Sequence, residues 1–506
     1  MPTTWETHLV KFEGGWITTL GRLEQGIQAP GSATFLQNFE VSVEGGYTRI
    51  LGYEKYSSTA VGGTGSVIGV IAIDAAKCLA SRGNKYYLSS GTTWTEKATA
   101  AVTGSTRVRY DTYNFNGTQK FVMVDSLNDP AFYDTAAETV TYDTSAPSDV
   151  TGAGHVRVFK NHIFFGKNNL LNFTAPYTDN DYNTGNGAGV INVGSPITGL
   201  IVFREQLIIF SLNKIQRLIG DTSENFVLEP IAENTGCLCP NTIQEVGGDI
   251  MYLGPDGVRY LSATERNNDF GLQRASANIQ NQITRMINTD CGYASIVIRS
   301  KNQYRLFNYL SSVPRAYAEG YIATKFSDQS VDNISWSKTV GLKVYAADSR
   351  QLRDTEVILF SSDDGYVYRM ESGNSFDGEG IPFLFETPYM PITDPRLRKT
   401  IYKHTLYTSV GGNFSVEAGI RFDYNESHII QPATFTLGTT GTLGNIYGTA
   451  EAVYGTSVYS AILDELYLNN TVGSGFVVAV RYSGEEIIPP FTLDYVVLEY
   501  SQNERR

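Results

Sequence analysis

Short apolar stretches, each followed by a polar turn and a second apolar or aromatic stretch, recur along most of the chain. One of them is DIMYLGPDGVRYL, residues 249–261, in which a Gly-Pro-Asp-Gly turn separates the two halves. This pattern is typical of a β-hairpin. Six further stretches share it: CLASRGNKYYL, FVMVDSLNDPAFY, HIFFGKNNLLNF, LIIFSLNKIQRLI, YRLFNYLSSVPRAYAEGY and VILFSSDDGYVYRM. The chain is therefore predicted to contain seven copies of one hairpin unit.

The spacing of these hairpins indicates how they assemble. Their turns begin near residues 82, 126, 166, 211, 254, 311 and 362, at intervals of 44, 40, 45, 43, 57 and 51 residues. Four of the six intervals lie close to the ~40–45 residues of a four-stranded propeller blade. A single hairpin is marginally stable because one apolar face stays in water, whereas blades around an axis bury these faces against each other. Residues 61–380 are therefore predicted to form a β-propeller of about six to eight blades.

Two segments depart from the hairpin pattern. The longest interval contains LQRASANIQNQITRMI, and the spacing of its apolar residues predicts one short inserted helix. These apolar residues are Leu272, Ile279, Ile283, Met286 and Ile287. The N-terminal segment, residues 1–60, contains a further hairpin in NFEVSVEGGYTRILGYEKY, with Glu44, Gly45 and Gly46 at its turn. A strand from this segment is expected to complete the last blade and close the ring.

After about residue 380 the regular spacing ends and the strands become longer. FSVEAGIRFDYN, GFVVAVRYSG and FTLDYVVLEY alternate between apolar and polar residues, which indicates strands with one buried face. The sequence FDGEGIP, residues 376–382, is suited to a domain boundary. Residues 381–506 are therefore predicted to form a β-sandwich or β-barrel module, and the whole chain is predicted to be all-β.

Composition and charge narrow the possible functions. Aromatic residues make up 12% and charged residues only 18% of the chain, which favours strands over long charged helices. The net charge of −13 argues against binding nucleic acid through phosphate neutralisation. Four cysteines in 506 residues are too few for a disulfide scaffold and fit free thiols in a reducing compartment.

No sequence feature predicts secretion or membrane insertion. The N-terminus, MPTTWETHLVKFEGG, has no basic segment followed by an apolar core. The longest apolar candidate, GLIVFREQLIIF, is interrupted by Arg204, Glu205 and Gln206 and is shorter than the ~20 residues of a membrane helix. We therefore expect a soluble protein made in the cytosol.

No catalytic, cofactor or metal site is predicted. None of the five histidines has the spacing of H-E-x-x-H, and no G-x-S-x-G is present to pair with a histidine. His162 lies in an apolar strand and is expected to be a core imidazole. Cys237 and Cys239 are two thiols where a zinc site needs four ligands. The loop at 177–189 alternates acidic and amide side chains in the manner of a calcium loop, but lacks its closing glutamate.

A basic segment stands out in this acidic chain. The sequence DPRLRKTIYKH brings together Arg396, Arg398, Lys399 and Lys403. These residues form either a solvated strand or a docking contact for an acidic partner.

One turn resembles a feature of enzymes. SSDDGYVY, residues 361–368, resembles the Asp-box of sialidase propellers, S-x-D-x-G-x-x-aromatic. In those proteins the box is a hairpin device remote from the active site, so the likeness implies fold rather than activity. The arginine cluster, acid and tyrosine of such an enzyme cannot be assigned in the sequence. A glycan-binding or glycan-cleaving β-propeller remains the alternative function.

The chain as a whole resembles the tail nozzle, or tail tubular, proteins of short-tailed bacteriophages, which are also described as packaged-DNA stabilisation proteins. Seven stretches carry the resemblance: LQNFEVSVEGGYTRILGYEKY, LIVFREQLIIFSLNKIQRLIGDTSENF, PNTIQEVGGDIMYLGPDGVRYLS, DPRLRKTIYKH, RFDYN, NIYGTAEAVYGTSVY and GSGFVVAVRYSGEEIIPPFTLDYVVLEY. They are strands and turns that carry the fold, and they span most of the chain.

This resemblance implies a structural virion protein without enzymatic activity. It implies self-assembly into a ring, a homohexamer, below the portal and adaptor proteins, with tail fibres or spikes attached beside it. Genomic DNA would leave through the channel without specific binding. The acidic composition adds a hypothesis: if acidic residues line the lumen, they would repel the polyanion. The expected location is the virion tail, after synthesis in the cytoplasm of the bacterial host.

Overall fold

The computed structural model describes residues 5–97, 104, 107–262, 274–289, 292–326, 334–410, 414–438 and 463–503. Its N-terminal segment contains one helix and five short strands: β1 (Glu6–Lys11), α1 (Arg22–Gln28), β2 (Phe35–Gln37), β3 (Phe39–Val41), β4 (Tyr47–Arg49) and β5 (Tyr53–Lys55). β3 and β4 form the predicted hairpin, with Phe39 opposite Arg49.

Four antiparallel sheets of four strands follow, and we number them blades 1 to 4. Within each blade, strands that are consecutive in the chain are neighbours in the sheet. Blade 1 contains β6 (Val67–Ala72), β7 (Cys78–Arg82), β8 (Lys85–Ser89) and β9 (Trp94–Glu96). Blade 2 contains β10 (Arg109–Tyr113), β11 (Lys120–Val124), β12 (Ala131–Asp134) and β13 (Thr139–Tyr142). Blade 3 contains β14 (His155–Phe159), β15 (His162–Lys167), β16 (Leu170–Phe173) and β17 (Gly189–Asn192). Blade 4 contains β18 (Ile197–Phe203), β19 (Gln206–Ser211), β20 (Lys214–Ile219) and β21 (Val227–Glu233).

A three-stranded sheet and two further blades complete the circle. The three-stranded sheet contains β22 (Gln244–Val246), β23 (Asp249–Gly254) and β24 (Gly257–Tyr260), and is followed by α2 (Gln280–Ile287). Blade 5 contains β25 (Gly292–Ile298), β26 (Gln303–Tyr309), β27 (Glu319–Lys325) and β28 (Ile334–Val340). Blade 6 contains β29 (Ala346–Leu352), β30 (Thr355–Ser361) and β31 (Val367–Met370), and takes β5 as its fourth strand. The last blade is thus closed by a strand from the start of the chain.

The predicted fold class is confirmed: the molecule is all-β and its six four-stranded blades form a β-propeller. Each of the seven predicted hairpins joins the second and third strands of one sheet, and the opening stretch, 249–261, is the hairpin of the three-stranded sheet. The inserted helix is α2, where Ile283 and Met286 are buried. Leu272 lies outside the described residues.

Apolar clusters between neighbouring sheets hold the ring together. Leu79 of blade 1 packs with Phe121 and Met123 of blade 2, and similar clusters join the other neighbours. Blade 6 meets blade 1 in the same way, and the Ser361 hydroxyl donates to the Val67 carbonyl at 2.8 Å. Burial of apolar faces between repeats therefore stabilises each blade, as the spacing predicts.

The C-terminal residues form long strands: β32 (Ile381–Glu386), β33 (Arg398–Val410), β34 (Ser415–Phe422), β35 (Phe435–Gly438), β36 (Leu463–Gly475), β37 (Val478–Glu486) and β38 (Phe491–Asn503). They build two sheets that face each other in a β-sandwich. The outer sheet has the order β3-β4-β38-β33-β36, with β1 also paired to β38. The shared sheet has the order β25-β26-β27-β28-β2-β32-β37-β34-β35, so it joins blade 5 to the sandwich.

The structure divides the chain differently from the predicted segments 1–60, 61–380 and 381–506. Only β5 of the N-terminal segment belongs to the propeller, whereas β1, β3 and β4 join the outer sheet. β2 lies between β28 and β32 and bridges the propeller and the sandwich within one sheet. Sequence spacing does not reveal this division because each of these pairings joins strands that lie far apart in the chain.

Candidate functional site

The inner strands of the blades surround a cavity of about 520 Å³ at the propeller axis. Its wall is formed by β6, β10, β14, β18, β25 and β29, together with the short 3₁₀ turn Pro240–Thr242. Three arginines line this cavity: Arg107, Arg109 and Arg157. We call them the axial arginines. Two come from the start of blade 2 and the third from the first strand of blade 3.

The axial arginines connect neighbouring parts of the wall. Their hydrogen bonds across it are Arg109 Nη1 to Gly154 O (2.9 Å), Arg109 Nε to Asn241 Oδ1 (3.1 Å), Arg157 Nη1 to Tyr110 O (2.9 Å) and Arg107 Nη2 to Tyr293 O (2.9 Å). The guanidinium of Arg107 also stacks on the Tyr345 ring, 4.9 Å from its centroid. All these acceptors are neutral, so the bonds position the arginines without neutralising them.

Burial and mutual repulsion act on the charges of this cluster. Burial, reinforced by nearby Arg107 and Arg157, lowers the pKa of Arg109 to about 10. Burial also lowers the pKa of Arg107. His155, at the start of β14, has its pKa lowered to about 3 by burial and then by Arg109, so its imidazole is neutral at physiological pH. The cluster thus carries positive charge in a partly desolvated place.

Two carboxylates, those of Asp111 and Asp348, share the cavity. The Asp348 side chain accepts hydrogen bonds from the Tyr110 hydroxyl at 2.5 Å and from the Ala72 amide at 2.8 Å. Burial raises the pKa of Asp348, and burial together with this acid raises the pKa of Tyr110 well above its ordinary value. A nucleophilic tyrosine needs the opposite shift. The pair is therefore better suited to joining blades 2 and 6 than to cleaving a glycan.

The predicted basic segment does not form one continuous patch. Arg396 is exposed and paired with Asp394 at 2.9 Å, and Arg398 is also exposed. Lys399 is buried and donates to the carbonyls of Asp394 and Phe476. Lys403 pairs with Glu499 of β38 at 3.0 Å. Arg396 precedes β33, and alternation along that strand places Arg398 and Lys399 on opposite faces. Of the four residues, only Arg396 and Arg398 are exposed, and docking through the segment stays a prediction.

The Asp-box-like turn is a hairpin between β30 and β31. Asp363 forms an ion pair with Lys343 at 2.6 Å, and Asp364 forms one with Arg315. Asp364 also accepts from the Tyr368 hydroxyl at 2.5 Å. The acidic residues of this turn therefore stabilise local structure.

The remaining candidate ligands also have structural partners. His162 is buried, and its Nδ1 forms a hydrogen bond with the Thr174 carbonyl at 2.5 Å. Cys237 is buried with its sulfur 3.7 Å from the Thr242 hydroxyl. Within the described part of the chain, no group of three or more His, Cys, Asp or Glu residues is placed to hold a metal ion. Cys291 lies outside that part.

The acidic side chains of the loop at 177–189 also have partners within the protein. Asp179 forms an ion pair with Lys120 of blade 2 at 2.7 Å. Asp181 accepts from the Asn183 amide at 2.9 Å and from the Asn186 side chain at 2.7 Å, and these bonds lower its pKa. The alternating residues therefore shape the loop and tie it to a neighbouring blade.

A second candidate surface is the solvent face of the outer sheet, which we call the outer face. Leu9, Val497, Thr405 and Leu468 form one row across β1, β38, β33 and β36, and Thr405 is the buried member of this row. Leu9 is 60% exposed and Leu468 is 49% exposed. The sequence shows alternation in each strand, but it does not show that these strands are neighbours.

Aromatic residues extend the outer face. Tyr407 and Tyr495 stack with their ring centroids 4.2 Å apart, and Trp5 stacks on Tyr402 at 5.1 Å. Trp5 is 58% exposed. Cross-strand aromatic pairs stabilise a sheet, and an exposed apolar face of this kind is typical of an interaction surface.

Comparison with known proteins does not identify a family. No family model matches the chain, and no curated protein matches it either. None of the helices in the described part of the chain has the length and hydropathy that a bilayer crossing requires.

Solved structures with a similar arrangement are distant. The extracellular domain of a one-component system from B. thetaiotaomicron has 13% identity and a TM-score of 0.41, over 76% of this chain and 47% of that one. BBS1N in complex with ARL6DN has 11% identity and a TM-score of 0.39, over 66% and 98%. Chaetomium thermophilum Raptor has 8% identity and a TM-score of 0.40, over 64% and 29%. The chain thus spans about half the length of the first, and likenesses this weak do not bear on function.

Proposed function

We propose that this protein is a structural subunit of a short bacteriophage tail, the nozzle ring that surrounds and closes the DNA exit channel. The proposal rests on the resemblance of the chain to tail nozzle proteins. Parts of two stretches that carry this resemblance lie together in the outer sheet. They are β3 and β4, from LQNFEVSVEGGYTRILGYEKY, and β38, from the end of GSGFVVAVRYSGEEIIPPFTLDYVVLEY. NIYGTAEAVYGTSVY lies outside the described residues.

The exposed apolar outer face is the observation that favours a ring subunit. Leu9, Trp5, Leu468 and the Tyr407–Tyr495 pair present apolar and aromatic surface to solvent. Aromatic residues are enriched at protein interfaces, because they bury a large area and lose little conformational entropy. The face therefore suits contact with a folded protein partner.

The proposed occupant of the outer face is a second copy of this chain. Charged residues of both signs border the face, including Lys11, Glu44 and Asp494. A mixed border suits another copy of a chain that carries both charges, whereas a nucleic acid would require a basic border. Head-to-tail contact between copies closes into a ring when the rotation between them is a simple fraction of a turn.

The proposal is tested by electron microscopy of the purified protein, together with sedimentation analysis over a range of concentrations. Rings or stacked tubes are the expected result. A monomer at every concentration that also binds immobilised glycans would overturn the nozzle proposal and favour the glycan-binding alternative.

A pair of variants tests the role of the outer face. Leu9→Glu places a charge in the proposed interface and is expected to dissociate the rings. Leu127→Glu is the matched control, because Leu127 is 50% exposed but lies in the turn between β11 and β12 of blade 2. Equal effects of the two changes would show that the outer face is not the contact.

A further inference from the structure

We propose that the axial cavity binds a small oxyanion, a phosphate or a carboxylate, through Arg107, Arg109 and Arg157. The residues that line this cavity belong to the propeller and differ from those of the outer face. Each copy of the chain would bind its own ligand in this cavity, without contributions from a second copy.

Unused hydrogen-bond donors of the axial arginines support the site. A guanidinium has five N–H donors, and Arg107 uses one of its nitrogens in the bond to the Tyr293 carbonyl. The Nη1 atom of Arg107 is buried and has no hydrogen-bond partner among the described residues. A buried donor without a partner is costly, and an anion in the cavity would supply the acceptor.

The carboxylates on the cavity walls do not contact the axial arginines directly. None of the axial arginines forms an ion pair within the described part of the chain; their bonds go to carbonyls and to one amide. Asp111 accepts from the amides of Thr112 and Val158, both at 2.8 Å. Asp348 accepts from the Tyr110 hydroxyl and from a backbone amide. The two carboxylates of the cavity therefore form their hydrogen bonds with groups other than the axial arginines.

Electrostatics reinforce the geometry. Arg109 lies close enough to Arg107 and Arg157 for each to disfavour its charged form, in addition to burial. An anion between them would replace this repulsion with attraction and restore the preference for the charged form. The cluster is therefore preorganised for a ligand of negative charge.

The size of the cavity and the geometry of arginine define the ligand class. A volume of about 520 Å³ is within the ~300–1,000 Å³ of small-molecule sites. The planar fork of a guanidinium matches two oxygens of a phosphate or carboxylate group. A small molecule with such a group fits both properties.

Calorimetric titration of the full-length protein with inorganic phosphate, and separately with acetate, at constant ionic strength tests the proposal. Saturable binding of one ion per chain is expected for at least one probe. Binding of phosphate alone would assign the site to phosphate groups, and binding of acetate alone to carboxylates. Absence of saturable binding with both probes would overturn the proposal.

Variants locate the bound ion. Arg107→Gln is expected to weaken binding at least tenfold. Arg204→Gln is the matched control: the Arg204 guanidinium also donates to a carbonyl, that of Gly248, and stacks on a ring, that of Phe203, but it is exposed and outside the cavity. Equal weakening by both changes would contradict the assignment.

A measurement on the unmodified protein covers the case in which Arg107→Gln does not fold. Ligand binding to the folded state raises the melting temperature. Phosphate or acetate is therefore expected to raise the melting temperature more than sodium chloride of the same ionic strength. Identical shifts with all three salts would overturn the proposal, whatever electron microscopy shows about rings.

Discussion

The propeller and the sandwich consist of the same kind of strand but are assembled in opposite ways. In blades 1 to 4 every strand pairs with its neighbour in the chain, as in the sheet of β10 to β13. In the outer sheet, β1 pairs with β38, so that Glu6 lies opposite Tyr500. Blades 1 to 4 are thus built from local contacts, whereas the outer sheet also depends on contacts between strands that lie far apart in the chain.

This difference has consequences for folding and for stability. Local hairpins close short loops at low entropic cost, whereas pairing of distant strands closes almost the whole chain. The two regions are not independent, because the shared sheet runs from blade 5 through β2 into the sandwich. We therefore expect damage to either region to destabilise both.

The largest expected effect comes from the sandwich core. Phe385 is fully buried, and its ring contacts those of Phe12, Tyr47 and Tyr482 at centroid distances of 4.7, 5.0 and 6.0 Å. Phe385→Ala should lower the free energy of unfolding by about 3–5 kcal/mol, because it leaves a cavity. Chemical denaturation followed by fluorescence measures the change.

The matched change in the propeller is Phe164→Ala, since Phe164 is equally buried between blades 3 and 4. If the shared sheet couples the regions, both variants should unfold in a single transition at a lower denaturant concentration. Two separate transitions, with only one of them moved by Phe385→Ala, would show that the regions unfold independently.

A pH titration probes one histidine on each side of the comparison. Burial lowers the pKa of His404, in the sandwich, to about 4, whereas the ordinary value is 6.5. Between these values the unfolded chain binds a proton that the folded protein excludes, so stability is lost as the pH falls. The loss between pH 7 and pH 4 is about 3 kcal/mol for this group. Urea denaturation at both pH values measures it.

His404→Gln removes this titration and should reduce the pH dependence of the unfolding free energy by that amount. His155→Gln is the propeller counterpart and should act over a wider range, since the pKa of His155 is about 3. An unchanged pH dependence in His404→Gln would contradict the assignment.

A smaller effect is expected at the turn of the three-stranded sheet. Gly257 has φ = +148°, and a Cβ there would lie 2.8 Å from the Ser276 hydroxyl. Gly257→Val should cost about 2–3 kcal/mol, because it combines backbone strain with a steric clash. Thermal denaturation measures the loss.

Gly248→Val is the control for strain without a clash, because Gly248 has φ = +75° and a Cβ added there would meet nothing within 4 Å. It should cost about 1 kcal/mol. A larger loss in Gly248→Val than in Gly257→Val would rule out the clash as the cause.

The smallest effect is expected in the basic segment. Arg396 is 75% exposed, and exposed ion pairs contribute little to stability. Arg396→Gln should therefore leave the melting temperature unchanged within error. A drop of several degrees would show that this arginine has a structural role, and would remove it as a candidate for docking alone.

The sequence predicts the propeller because its hairpins are local and recur at blade length. It does not predict the sandwich pairing of β1 with β38, since no local pattern encodes which distant strands become neighbours. Nor does it predict the axial arginines. A weak signal exists in consecutive blades, since Val108-Arg109 and Val156-Arg157 both lie at a first strand, although Arg109 is the first residue of β10 and Arg157 is the third residue of β14. Without the ring geometry, two such pairs do not indicate a common cavity.

The pairing of β1 with β38 also affects the order in which parts of the chain can fold during synthesis. The ribosome releases β1, β3 and β4 long before β38 (Phe491–Asn503), the strand that pairs with β1 and β4. The blades can form hairpin by hairpin during translation. Until β38 is made, β1 and the open edge of the β3–β4 hairpin leave backbone groups accessible to other chains. Chaperone dependence of expression should therefore be concentrated at β1, β3 and β4, and should end when β38 pairs with β1 and β4.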